Sequence, residues 1–288
     1  MKKRIILLPK YMWLLMPAFI LIAFFLVYPT IFQLYLSFFS TTLYSKGTFI
    51  GLKNFIKVLT DPLSFQAARI TAVFVILATT IEIAWGLILA LALNKIGFGK
   101  TIIRGLPTLP LMLTPVAVGS IWIFMYFPEG GALSTLLRIV GGTQQTWLSK
   151  PFSALLAIVS VEVWQYTPFT CLVLLAGLQS IPQDLYEVAL INGASKFQIF
   201  RYVTLPSLRG SLIVVLLFNI MRQLKTFDIV YTITKGGPGR ATSVISFNIY
   251  QRAYRFYNIS EAASFSFIFL IIVLLISSRL IKILKEKE

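Results

Sequence analysis

The 288-residue sequence has no histidine and a single cysteine, Cys171. Without histidine there is no imidazole to ligate zinc, to serve as a general base near neutral pH, or to complete a Ser-His-Asp triad. One cysteine forms neither an intrachain disulfide nor a thiol pair. Acidic residues are scarce too, 10 Asp and Glu against 26 Lys and Arg, for a formal charge of +16. No Gly-x-x-x-x-Gly-Lys-Ser/Thr loop is present, so the chain carries no phosphate cradle and any use of ATP falls to another subunit. The run Gly236-Gly237-Pro238-Gly239 lacks the lysine and the strand-to-helix setting of such a loop and reads as an external turn.

What is plentiful is apolar. Hydrophobic residues make up 57% of the chain and mean hydropathy is +0.83, too apolar for a soluble domain of this length. Nearly uncharged stretches near 11–39, 70–94, 105–127, 151–178, 210–234 and 262–278 approach or exceed the roughly 20 residues a helix needs to cross a bilayer. The last is short, but Ile259 and Leu280-Ile281 can extend it. The pattern predicts an all-α integral membrane protein of six transmembrane helices, a single domain over 1–288. Continuous apolar runs exclude a transmembrane barrel, whose strands alternate.

Basic residues flank these runs and do not gather on a soluble face, which argues against a nucleic-acid partner. With both termini cytoplasmic, the inside segments hold slightly more Lys and Arg than the outside ones, a weak positive-inside bias. Lys2, Lys3 and Arg4 precede the first run and resemble the start of a signal peptide, but the unbroken length from Tyr11 to Phe39, with no small-residue cleavage site, favours a retained anchor. The external segment 40–69 holds the turn-prone Ser45-Lys46-Gly47 and Asp61-Pro62, with amphipathic Phe55–Leu59 between them. It either lies on the outer interface or packs as a loop. A second external connection, 128–150, carries Trp147 as an interfacial anchor.

Ionisable residues inside apolar spans are costly unless they face a partner or water, and this chain has Glu82, Glu162, Arg222, Lys225 and Asp228 there. In the fourth span Glu162, Gln165, Tyr166 and Phe169 fall at i, i+3, i+4 and i+7, one helical face. Asn219, Arg222, Gln223 and Thr226 repeat that spacing in the fifth. Two such stripes facing each other line a hydrated cavity whose amides, carboxylate, guanidinium and rings suit a carbohydrate. Alternatively Glu162 and Arg222 pair as polar glue between helices. If the pair neutralises itself, an uncharged sugar, oligosaccharide or polyol is favoured; a free guanidinium favours a sugar phosphate or acidic sugar.

Between the fourth and fifth spans lies a polar loop, about 180–209. Asp184 can cap a short helix begun after Pro182, Gly193 can end it in a left-handed turn, and Ser195 can cap a second helix running to Pro206. Its sequence, Glu187-Val188-Ala189, three residues, Gly193, nine residues, then Val203-Thr204-Leu205-Pro206, resembles the EAA motif of ATP-binding-cassette (ABC) importer permeases, with Val203 in place of Ile and Val188 in place of the first Ala.

The likeness extends along the chain. Tyr28-Pro29, Tyr35-Leu36-Ser37-Phe38, Gly51-Leu52-Lys53-Asn54-Phe55, Gly86-Leu87, Leu109-Pro110, Ile181-Pro182-Gln183-Asp184 and Phe227-Asp228 leading to Gly236-Gly237-Pro238 are similar in order to sugar-importer permeases of the maltose and glycerol-3-phosphate type. The resemblance implies a type I ABC importer permease fold in a prokaryotic inner membrane. It implies a second permease subunit, a homologous partner in a heterodimer; two ABC ATPase subunits that hold ATP and Mg; and an extracytoplasmic solute-binding protein. It also implies a coupling role for Glu187, Ala189, Gly193, Ala194, Leu205 and Pro206, and places the sugar-contacting positions of that type on the two stripes. Charges stand here where maltose recognition uses neutral groups. The chain then has no catalytic site, cofactor or metal of its own. An ion-coupled secondary transporter titrating Glu82, Glu162 and Asp228 is the alternative from another class, disfavoured by six helices without a detectable repeat; a membrane-embedded enzyme is disfavoured by the absent histidine.

Overall fold

A computed structural model of the chain describes residues 12–41, 47–95, 106–142 and 146–285. Lys2, Lys3, Arg4, Tyr11, Ser45 and Lys46 lie outside the described residues. Two compact units are present, one formed by the segments up to Asp61 with Ile249–Leu270, the other by Pro62–Asn248 with Ile271 onward.

In the smaller unit, helix α1 (Met12–Ile22) runs through a π-helical turn, Ala23–Val27, into α2 (Tyr28–Ser37). Most of its apolar side chains between Leu15 and Tyr35 are exposed, as those of a lipid-facing helix are. Strand β1 (Phe39–Ser40) pairs antiparallel with β2 (Thr48–Phe49) as a two-residue ribbon. Helix α3 (Lys53–Thr60) takes up the amphipathic segment between the first two predicted spans. It buries Asn54 and Val58 and exposes Ile56 and Leu59, so packing and exposure are divided between its two faces. The Asn54 amide donates to the carbonyls of Ser37 (2.9 Å) and Phe39 (2.8 Å), tying α3 to the end of α2.

The larger unit opens with α4 (Pro62–Asn94), 33 residues begun by a proline, whose missing N–H costs nothing at a helix start. Its buried stripe, Thr71, Phe74, Ala78, Glu82, Gly86, Ala90 and Leu93, recurs every three or four residues. Next come a 3₁₀ segment (Leu106–Met112), α5 (Pro115–Met125), α6 (Ala132–Ile139) and α7 (Pro151–Gln179). At Gly86 an added Cβ would lie 2.4 Å from Thr170 Cγ2 and 3.2 Å from the Cys171 backbone, so glycine is what lets α4 and α7 approach. The chain then forms α8 (Gln183–Ile191), α9 (Lys196–Ile199), a π-helical turn (Phe200–Thr204), α10 (Leu205–Ser207) and α11 (Arg209–Leu224). After α12 (Ile245–Tyr250) and another π-helical turn, α13 (Ile259–Lys285) closes the described chain, extended at both ends beyond 262–278 as expected.

Among the described residues four helical stretches are each long and apolar enough to cross a membrane: Leu15–Ser37, Pro62–Asn94, Pro151–Gln179 and Ile259–Ile283. Two other predicted spans are not continuous helices. Among the described residues the third, 105–127, is a 3₁₀ segment, a bend and an 11-residue helix, because Pro107, Pro110 and Pro115 each remove a donor from the ladder. The fifth, 210–234, breaks after Leu224: Lys225, Thr226 and Phe227 leave the helix, and helical structure resumes at Asp228. Helix α11, at 16 residues, is long enough to cross only together with Lys196–Ser207, from which it bends by 63°.

Candidate functional site

The site gathers where α4, α7 and α11 pack together. Each is strongly apolar, and a charge inside such a helix is stable only with a counter-charge and satisfied hydrogen bonds. Arg222 near the end of α11 supplies the positive group. Its Nη2 donates to both oxygens of Glu82, at 2.8 and 3.0 Å, and its Nη1 donates to Oε1 of Glu162. The guanidinium carbon lies 3.5 Å from the centroid of the Tyr166 ring, a cation–π contact with the guanidinium above the ring. The Thr226 hydroxyl reaches Glu162 from the helix break at 3.5 Å. The pairing of Glu162 with Arg222 follows the expectation from helical spacing. Glu82 joins them from a third helix, and its own spacing in the sequence gave no sign of which partner it would meet.

Beside this cluster is a cavity of about 480 Å³, within the size range of small-solute sites. Glu162, Tyr166, Arg222 and Thr226 line it, with Phe218, Lys225 and Asp228 among their neighbours. The break at Lys225–Phe227 therefore opens the backbone of the fifth span at the cavity, and the Ser246 hydroxyl, donating to the Thr226 carbonyl, holds that break. Non-helical backbone at membrane depth is tolerated where it lines a cavity.

The other predicted path residues sit behind this wall. Gln165 is buried and donates to the Leu113 carbonyl at 3.0 Å. Asn219 donates to Thr170 at 3.0 Å, and Gln223 accepts from Thr79 at 2.6 Å, so both stitch α11 to its neighbours. Phe169 packs edge-on against Phe218 with centroids 5.7 Å apart. The stripes thus serve two purposes, four residues bordering the cavity and four supporting it. A larger cleft of about 600 Å³, lined by Trp85, Leu89, Trp164 and other mostly apolar residues, holds no ionisable group and has the character of a lipid-facing or helix-facing groove.

The loop between α7 and α11 forms a compact knob. Helix α8 starts after Pro182, and Asp184 lies in its first turn instead of capping it: no side-chain cap is made, and the N-cap is the proline itself. At the other end Gly193 adopts φ +74°, the Gly193 N–H bonds to the Leu190 carbonyl (2.9 Å) and the Ala194 N–H to the Ala189 carbonyl (3.0 Å). This is a Schellman motif, in which glycine avoids the strain of the left-handed turn. Ser195 then makes a capping box with Gln198. Glu187, Leu205 and Pro206 are exposed, as are the apolar Val188, Leu190, Ile191, Phe197 and Tyr202. Ala189 and Ala194 are half-buried. Beneath the knob, Ile181 and Leu208 join Leu174, Leu178, Leu93 and Val215 in a buried cluster, so a push on the knob bears on α4, α7 and α11.

A family profile described as binding-protein-dependent transport system inner membrane component matches residues 82–286. Over 273 residues, 94% of this chain and 91% of the relative, the sequence is 36% identical to the trehalose/maltose transport system permease protein MalF of Thermococcus litoralis. It is 31% identical over 277 residues, 96% of this chain and 90% of the relative, to the sulfoquinovosyl glycerol transport system permease protein SmoG of Agrobacterium fabrum. Among solved structures, a chain of a bacterial ABC transporter involved in the import of the acidic polysaccharide alginate superimposes with a TM-score of 0.81, covering 95% of this chain and 94% of that one, at 22% identity. At that identity the likeness speaks for the fold alone.

Proposed function

Since the chain belongs to the family of inner membrane components of binding-protein-dependent transport systems, we propose that it forms the translocation path of an ATP-driven importer for a neutral sugar, oligosaccharide or polyol. It is a multi-pass permease subunit, and ATP hydrolysis lies in partner subunits. In this reading one permease domain, 1–288, pairs with a homologous second permease. Two ABC ATPases carrying ATP and Mg grip the knob at about 180–209 from the cytoplasmic side, where both termini lie. An extracytoplasmic binding protein delivers the solute. Closure of the ATPase dimer draws the knobs together and turns the bundle from inward-facing to outward-facing, because ATP and loaded binding protein each stabilise one of two packings.

The observation that carries the solute class is the engagement of Arg222 by two carboxylates at the cavity wall. A guanidinium so occupied has little left for an anion, while the Tyr166 ring, the Thr226 hydroxyl and the carboxylate oxygens suit hydroxyls and the flat face of a sugar ring. The relative named for trehalose and maltose is in keeping with this reading. A second reading, an acidic sugar, draws on exposed Lys225, a further cation at the same cavity, and on the relative named for sulfoquinovosyl glycerol. The test is solute-stimulated ATP hydrolysis by the reconstituted transporter with its binding protein. Neutral sugars should stimulate it; stimulation by anionic sugars alone would overturn the neutral reading and leave the importer standing.

A further inference from the structure

Glu82 is fully buried and does not border the cavity, yet both its oxygens are held by a single nitrogen of Arg222, at 2.8 and 3.0 Å. Nη1 of the same guanidinium goes to Glu162, and the Tyr166 ring covers one face. A guanidinium presents its N–H donors in a planar fork that takes carboxylate or phosphate bidentately, and at a cavity wall it would ordinarily draw such groups. Here the Nη2 arm of the fork is already closed, from behind the wall, by a carboxylate that a solute cannot reach. Lys225, Asp228 and Glu162 line the same cavity, so with Glu82 and Arg222 the local ionisable side chains are two basic and three acidic. Without Glu82 the two signs would balance and the Nη2 arm would open.

We propose that Glu82 is a specificity-determining positioning residue: acting through Arg222, it suppresses the attraction of the cavity for anions and so reserves it for uncharged polyhydroxylated solutes. The proposal rests on the cavity being the solute path. Glu82 touches no solute; it fixes the orientation of Arg222 and compensates its charge. A purely structural glutamate would, on removal, weaken every solute alike. A compensating glutamate would, on removal, change the ranking of solutes.

The experiment is equilibrium dialysis of the intact, detergent-purified transporter, without its binding protein, against radiolabelled neutral probes (maltose, trehalose) and acidic probes (glucuronate, glucose 6-phosphate). Glu82→Gln should raise affinity for the acidic probes by about tenfold or more while changing that for the neutral ones by less than about threefold, and Glu82→Gln with Arg222→Gln should lose the gain. An assembled Glu82→Gln complex that binds acidic probes no better than wild type, or shifts both classes equally, overturns the proposal. Glu82→Asp, which keeps the charge on a shorter arm, covers the case in which the glutamine variant does not assemble. It should exclude acidic probes as wild type does to within about threefold, and a tenfold gain there would show that charge is not the cause. Failure of wild type to bind any neutral probe counts against the solute-path reading, whereas the electrostatic role of Glu82 is judged by the change in acidic binding between variants.

Discussion

Two arginines in this protein are each held by two carboxylates and each lie over an aromatic ring, but they are built the opposite way round. At Arg222 the acids are sealed, with Glu82 and Glu162 side chains 0% and 2% exposed, while the arginine side chain is 24% exposed, at a cavity. At Arg252, in the smaller unit, the arginine is sealed at 8% and its partners Asp61 and Glu261 are 21% and 14% exposed. Arg222 sits 3.5 Å from the Tyr166 centroid, and Arg252 sits 5.3 Å from that of Phe265. In the cluster of Arg252 the central cation is hidden and its carboxylates keep contact with water, with Lys57 adding a further contact to Glu261. In the cluster of Arg222 the cation is the accessible member and its two carboxylates are hidden. The orientation of burial within an ion cluster thus separates the candidate solute site from a structural tie that contains the same chemistry.

The largest effects should come from breaking each cluster at its centre. Arg222→Met leaves two buried carboxylates without a counter-charge and should cost about 3–5 kcal/mol, read as loss of assembled complex in thermal unfolding by size-exclusion chromatography. Arg252→Met should cost less, about 1.5–3 kcal/mol, because Asp61 and Glu261 keep contact with water. Equal losses would mean that exposure of the acids does not distinguish the clusters.

A third region, the knob, can be damaged without touching either arginine. At Gly193 a new Cβ would meet no atom within 4 Å, so Gly193→Val is strained by its φ of +74° alone, by about 1–2 kcal/mol. ATPase co-purification and uptake should fall while the thermal transition of the membrane helices is retained. Ser195→Ala removes one half of the capping box and should cost about 1 kcal/mol, with a smaller loss in the same co-purification assay. Normal uptake in Gly193→Val would sink the coupling role of the knob.

Much of this arrangement is legible in the sequence. Apolar length marks the spans, and helical spacing puts Glu162 and Tyr166 on one face and Arg222 on another. Gly193 and Ser195 announce the turn and cap found there, since local backbone chemistry needs no distant partner. Spacing states which face a residue occupies but not which helix that face meets, and so the closure of the cluster by Glu82 and the use of Asn219 and Gln223 as stitching were not readable. The shortened third helix was readable from Pro107, Pro110 and Pro115 and was outweighed by apolar length. The break at Lys225–Phe227 carries no proline; tertiary contacts such as Ser246 with the Thr226 carbonyl hold it. Asp184 has the right chemistry for a cap, yet Pro182 had already set where α8 begins.

The most direct test is uptake by proteoliposomes containing the complete transporter with each cluster neutralised as a set. One set carries Glu82→Gln, Glu162→Gln and Arg222→Met; the other carries Asp61→Asn, Glu261→Gln and Arg252→Met. Replacing a whole ion cluster with neutral side chains of similar volume removes the uncompensated charge that single changes leave, so both sets should assemble. The Arg252 set should transport within about threefold of wild type, and the Arg222 set should fall by about tenfold or more, a barrier change of about 1.4 kcal/mol. Wild-type uptake by an assembled Arg222 set would contradict the solute-site assignment.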